Sequence, residues 1–262
     1  LPAKKPRVEV ADEEIEKEYQ IVEASDPVSI WAVELVAPLA GASRDFRNPD
    51  RYGGYKVEVI ADDQLVNAFA APGGYTYITS GLIMNSNSCA EIAGLMGHEL
   101  GHVTQRHSVK AIESQFTIDQ LTSFFFGDSI LSDAAVIING FLLSTTWSQD
   151  KEMESDSVGL QIAYMTGSNP YGLQDFFEVL LAMGGGGMGP FHFLSSHPAT
   201  EDRITSVLYV IQSRYGGAVV EGVTQTYECI GTQMTLAEAK ARITSGQVAI
   251  KPGTGTGTGG GQ

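Results

Sequence analysis

The span from Ser88 to Thr104, SCAEIAGLMGHELGHVT, constrains the fold more than any other part of the chain. Ser88 and Glu91 form an S-x-x-E capping box, which starts a helix at Cys89. Glycines 94, 97 and 101 lie inside that helix. Each costs about 1 kcal/mol relative to alanine, which close packing against a second element would offset. His98 and His102 are four residues apart with Glu99 beside the first, the pattern H-E-x-x-H. Residues so spaced share a helix face, and two imidazoles placed this way can each bring a nitrogen to about 2.0 Å from one Zn²⁺. Glu99 lies about 100° round from His98, near enough to reach a water at the metal without becoming a ligand.

His107 follows five residues after His102. The extended pattern H-E-x-x-H-x-x-G-x-x-H would require glycine at 105 and histidine at 108, where the chain has Gln105 and Ser108. By helical geometry His107 sits roughly 140° off the ligand face. It is therefore expected to be solvated or structural, with the third ligand elsewhere.

At 262 residues with 43% hydrophobic and 18% charged side chains, the chain has the composition of a globular protein with a substantial core. The formal net charge of −15 repels phosphate backbones and argues against a nucleic-acid partner. Cys89 and Cys229 lack metal-ligand spacing, and buried free thiols are the plainer expectation for them. No signal-peptide pattern opens at Leu1, as in a mature or trimmed chain. The most apolar run, 134–143, is broken by Asn139 and Gly140 and falls short of the ~20 residues that span a bilayer.

Residues 1–10 read as a tail. Helices are expected over 11–25 and, after the Asp26-Pro27 start signal, through about Ala42. Strand-like segments at 55–60, 64–71 and 75–79, separated by Asp62-Asp63 and Pro72-Gly73-Gly74, suggest a three-stranded antiparallel meander. Further helices are expected near 150–166, 171–183 and from Pro198 to about Arg214. The glycine run 184–189 reads as a flexible loop. Residues 216–250 form a small C-terminal appendix with a helix at 236–243, and 251–262 a disordered Gly/Thr tail. The main domain then spans 11–215.

A catalytic zinc site usually has three protein ligands and one open position. Glu152 and Asp156, four apart in 150-DKEMESDSVG-159, share a helix face, while Glu154 points about 200° away from Glu152. A helix laid against the first could present Glu152 to the metal while Asp156 accepts the other ring N–H of a ligating histidine. Alone, this acidic pair would more often be a solvated helix face.

The ordered segments 67-NAFAAPGGYTYITSGL-82, 98-HELGH-102, 152-EMESD-156 and 196-SHPATEDRI-204 resemble metallopeptidase family 48, the HtpX-like, Oma-like and CAAX prenyl proteases. H-E-x-x-H with a downstream E-x-x-x-D is the gluzincin pattern, and coverage runs from about Tyr55 to Tyr215. Ser155 departs from the alanine often found in that family. The resemblance implies an α+β, mostly helical zincin-like domain with a small antiparallel β-sheet beside the zinc helix. It implies one Zn²⁺ per chain on His98, His102 and Glu152, with Glu99 as general base. Asp156 is expected to orient a ligand and Arg203 to be a buried partner for a carboxylate. Before Pro198, His197 would ordinarily read as structural. The resemblance turns it towards the zinc, as an oxyanion stabiliser or as a latch on the open position.

The activity expected is zinc-dependent endoproteolysis of unfolded or misassembled polypeptides, with β-strand 75–79 or its neighbour as a candidate peptide-pairing edge. Substrate-binding residues, specificity and oligomeric state are not readable. The alternative is a latched, chaperone-like assembly factor whose zinc site is closed by His197. Its supporting feature is apolar sequence at 124–126 and 130–143 that could dock peripherally to a membrane or an envelope complex. Either reading places the protein in a bacterial periplasm or cell envelope.

Overall fold

A computed structural model describes residues 7–71, 73–115, 146–182, 193, 196–198, 201–216 and 229–255. Residues 1–6 of the expected tail, the apolar segments 124–126 and 130–143, the glycine run 184–189, residues 217–228 and the tail beyond 255 lie outside the described residues.

The first helix, α1, covers Arg7–Glu18 and ends earlier than the sequence suggests. Residues 20–22 are extended instead, with Ile21 bridged to Ile60 and Val22 to Ile250. β-branched Ile21 and Val22 are both buried there, and sheet pairing satisfies the backbone where continued helix would not. Helix α2 spans Pro27–Ala42, capped by the Asp26 side chain, which accepts from the Val28 N–H, with proline at its first position. Its buried residues Val28, Trp31, Ala32, Leu35, Val36 and Leu39 recur at helical spacing and face the core.

Strands β1 (Lys56–Ile60), β2 (Ala68–Ala71) and β3 (Tyr75–Thr79) form a sheet in the order β1-β3-β2. β2 and β3 are an antiparallel hairpin, but β1 runs parallel to β3, so the sheet is mixed and not the expected antiparallel meander. The connection 61–67 explains the difference. It crosses the end of β3, where Gly81 N–H donates to Asp62 O at 2.9 Å and Thr79 N–H to Asn67 O at 3.1 Å. A side chain at Gly81 would come within 2.4 Å of Leu65 O, so glycine permits this crossing, which delivers β2 to the far side of β3.

Helix α3 (Ser80–Asn85) leads into α4 (Cys89–Thr104), started by the predicted cap, in which Ser88 Oγ accepts from Glu91 N–H. Then come α5 (His107–Gln115), α6 (Gln149–Met165), α7 (Tyr171–Ala182) and α8 (Glu201–Val210), the last continuing into a wider turn to Tyr215. Helix α9 (Leu236–Thr244) opens with a complete Thr235–Glu238 capping box. The main core packs α2, α4, α6 and α7 around Trp31, Leu95, Met96, Leu160, Phe176 and Phe177. A smaller cluster of Ile15, Ile21, Ile60, Phe69, Tyr75 and Tyr77 joins α1 to the sheet. The structure therefore has the α+β, mostly helical character expected, with its sheet beside α4.

Residues 229–255 are bound to this body. Ala239 and Ile243 enter the main core, Glu23 N–H donates to Ala249 O at 2.7 Å, and Ile21 N–H donates to Thr254 Oγ1 at 3.1 Å. Cys89 and Cys229 are joined in a disulfide across 140 residues, against the expectation of free thiols. The cap of α4 brings Cys89 to the place where the C-terminal segment returns, and the two Cα atoms stand 5.0 Å apart, within disulfide reach. No helix among the described residues is long and apolar enough to cross a membrane.

Candidate metal centre

The close approach of α4 and α6 builds the centre. A Cβ on Gly97 would lie 2.8 Å from Gly159 O, one on Gly101 2.7 Å from Ser155 O, and one on Gly159 2.6 Å from His98 N. The two backbones therefore touch, as the costly glycines of α4 suggest. This contact brings Glu152 and Asp156 of α6 under the histidine face of α4.

His98 Nε2 and His102 Nε2 are 3.1 Å apart, and His197 Nδ1 is 3.2 Å from His98 Nε2. Glu152 Oε1 lies 3.2 Å from His102 Nε2 and 2.9 Å from His197 Nδ1. All four side chains are buried and can offer one ligand atom each within a span of 4.8 Å. Glu99 is not one of the four. Among the described residues its Oε1 is buried without a hydrogen-bond partner, 3.6 Å from His197 Nε2. The sequence thus brings together every residue singled out for the site: His98, Glu99, His102, Glu152, Asp156 and His197.

This donor set fits a divalent metal. His98 Nδ1 is 2.7 Å from Asp156 Oδ1. An ionised carboxylate only accepts, so the ring proton sits on Nδ1 and leaves a lone pair on Nε2. Imidazole nitrogens that converge on one point beside an ionised carboxylate, in a buried pocket, are the donors that Zn²⁺ and its neighbours take. Burial works against ionisation of Glu152, but the neighbouring His197 and the ring nitrogens of His102 and His197, 3.2 and 2.9 Å from Oε1, hold its carboxyl well below the usual range. Burial also pushes Glu99 upward, opposed by His197 and His98 and by the backbone N–H of Ala70 in β2.

Arg203 on α8 ties the acidic side together. It is wholly buried, with Nε and Nη2 donating to the two oxygens of Asp156 at 2.9 and 2.8 Å. Its Nη1 donates to Pro198 O and lies 2.6 Å from Glu152 Oε2. Burial raises the Asp156 carboxyl's cost of ionising, and this paired guanidinium more than offsets it, holding Asp156 below its ordinary range.

Of the two readings of His107, solvated or structural, the structure has the second. His107 is buried, at 1% exposure, and its Nδ1 is 2.9 Å from His102 Nδ1. Extrapolating α4 past Thr104 fails because the chain breaks at Arg106, whose φ of +62° is left-handed, and α5 restarts at His107. Glu154, which points away from the metal face, meets His107 Nε2 at 3.1 Å. Trp147 lies against both rings, its centroid 5.0 Å from that of His102 and 6.1 Å from that of His107. No local spacing announces Trp147; the histidine five after the motif was the one visible signal for His107.

Comparison with known proteins agrees with this geometry. The model of peptidase family M48 matches residues 31–211. Among curated relatives, the mitochondrial metalloendopeptidase OMA1 of Arabidopsis thaliana is 31% identical over 55% of this chain and 29% of its own length. The beta-barrel assembly-enhancing protease of Escherichia coli K12 is 33% identical over 55% of this chain and 32% of its own. Metalloprotease YcaL of the same organism is 33% identical over 57% and 58%. The chain thus spans about a third of the first two relatives. With a family match over well more than half its length, and a buried His/Glu cluster of metal-ligating groups on the matched helices, the chain belongs to peptidase family M48 and carries a metallopeptidase domain.

Proposed function

We propose that the protein is a zinc-dependent endopeptidase, with one Zn²⁺ held by His98, His102 and Glu152 and with Glu99 as general base. The observation that carries this reading is the buried convergence of those three side chains with Glu99 beside them and outside the ligand set. Zinc bound there would supply the Lewis acidity that polarises a scissile carbonyl and makes water a nucleophile near neutral pH. Glu99 takes one proton from that water as its oxygen bonds to the carbonyl carbon. It then gives the proton to the amide nitrogen as the C–N bond breaks, leaving a carboxylic acid and an amine. A carboxyl raised by burial is suited to both halves of the transfer. His197 would donate to the developing oxyanion.

β3 is the middle strand, which leaves β1 and β2 as the edges, and β2, close to Glu99 through Ala70, is the one on which a polypeptide would pair. The disulfide and the relative named for beta-barrel assembly support placement in an oxidising bacterial periplasm or envelope, acting on unfolded or misassembled polypeptides.

A second reading is favoured by His197 itself. Its Nδ1 stands among the ligand atoms, where it could fill the open position and hold the enzyme latent. Cleavage of casein at matched zinc content tests both readings. Glu99→Gln should lose about 10²- to 10⁴-fold in rate with zinc retained, and a fully active variant would remove Glu99 from its role. Wild type inert and His197→Ala active would establish the latch. Both inert would count against it.

A further inference from the structure

We propose that His107 is a positioning residue for the metal centre, holding the His102 ring by a hydrogen bond so that its Nε2 lone pair faces the metal. This rests on the reading of His102 as a ligand. The two Nδ1 atoms are 2.9 Å apart, a separation that makes a hydrogen bond only when one nitrogen carries a proton and the other does not. Which one carries it is decided a bond further out. His107 Nε2 faces Glu154 Oε2 at 3.1 Å. An ionised carboxylate accepts only, so the proton of neutral His107 sits on Nε2, and its Nδ1 is bare. His102 Nδ1–H must then be the donor, and His102 Nε2 is left as the free ligand atom.

Ser155 Oγ lies 3.2 Å from the same His107 Nδ1. That lone pair is already taken by His102 Nδ1–H, so the serine restrains the edge of the ring by contact. Trp147 packs on both imidazoles and limits their tilt. The two histidine ligands are therefore oriented by different means from one helix. His98 is held directly by Asp156, and His102 indirectly by Glu154 through His107. Asp156, Glu154 and Ser155 all lie on α6, and the break at Arg106 brings His107 within their reach.

Groups that orient metal ligands in this way typically change metal affinity or activity by 10- to 100-fold when removed. Zinc affinity of the full chain, measured by chelator competition, should fall about 10- to 100-fold in His107→Ala. His107→Gln, whose amide oxygen can accept from His102 and whose amide N–H can reach Glu154, should recover most of that loss. The visible absorption of the cobalt-substituted protein should change in His107→Ala and return in His107→Gln. Glu154 is half exposed, so Glu154→Ala leaves the buried rings packed. It should lower affinity in the same direction by less. Should His107→Ala fail to fold, ¹⁵N-resolved imidazole NMR of zinc-loaded wild type still decides the matter: His107 should be protonated at Nε2 and bare at Nδ1. Protonation at Nδ1, or zinc bound equally tightly by wild type and His107→Ala, overturns this inference alone. A wild type that takes up no zinc overturns the centre itself and this inference with it.

Discussion

Arg203 shows what a single residue does for this site. Asp156 and Glu152 are both buried and ionised, at 2% and 1% exposure, and one guanidinium serves them together. Its fork meets both oxygens of Asp156, which a lysine ammonium could not do. The ring of Phe177, 4.7 Å below, closes off the remaining face. Removing the cation leaves two carboxylates in a medium that cannot solvate them. Arg203→Met should therefore destabilise the fold by about 3–5 kcal/mol, read from urea unfolding of the metal-free protein. Arg203→Lys should recover part of that. A Met variant within about 1 kcal/mol of wild type would show that the pair is solvated in a way its burial does not suggest.

At the scale of elements, the contact between α4 and α6 decides whether the ligands meet at all. A Cβ at Gly159 would meet His98 N at 2.6 Å, Gly97 C at 2.7 Å and His98 Cα at 2.8 Å, all backbone atoms that cannot turn aside. Gly159→Ala should force the helices apart, cost about 1–3 kcal/mol, and weaken zinc binding as Glu152 and Asp156 retreat. Gly41 in α2 is the control, because among the described residues a Cβ there meets nothing within 4 Å. Gly41→Ala should be neutral or stabilise by up to about 1 kcal/mol; equal loss in both variants, seen in thermal unfolding, would refute the packing account. Much of this contact was legible in the sequence. Three glycines in one helix and an acidic pair at helical spacing are local signals, read from residues a few positions apart. That His107 is structural and not solvated was not legible, because a left-handed residue at Arg106 ends the helical phase from which its angle is counted. The sheet order was misread for a similar reason. Whether β1 joins β2 or β3 is settled where 61–67 crosses Gly81, which no strand pattern records.

For the molecule as a whole, the two ends of the described chain meet on the sheet, and they meet through charge. Asp12 and Glu16 of α1, Glu58 of β1 and Lys251 come together there, with Lys251 paired to Glu16 and 3.9 Å from Glu58. Tyr77 Oη donates to Asp12 at 2.5 Å. Such a junction between segments some 240 positions apart, like the Cys89–Cys229 bridge, leaves no trace in local spacing. Burial, reinforced by Asp12 and Glu16 and opposed by Lys251 and Lys56, pushes the Glu58 carboxyl from 4.5 up to about 7. A carboxyl raised by folding binds its proton more tightly in the folded state. Its contribution to stability is fully present below its unfolded value of 4.5 and is lost as pH rises through about 7. At pH 8 the folded protein then holds a third negative charge beside Asp12 and Glu16, with Lys251 and Lys56 offsetting it only in part. Glu58→Gln removes that charge at every pH while keeping the shape. In thermal unfolding it should match wild type near pH 5 and exceed it by a few degrees at pH 8. A gain of the same size at both pH values would mean that Glu58 is already ionised in the folded protein at pH 5 and that the junction carries its charge without cost.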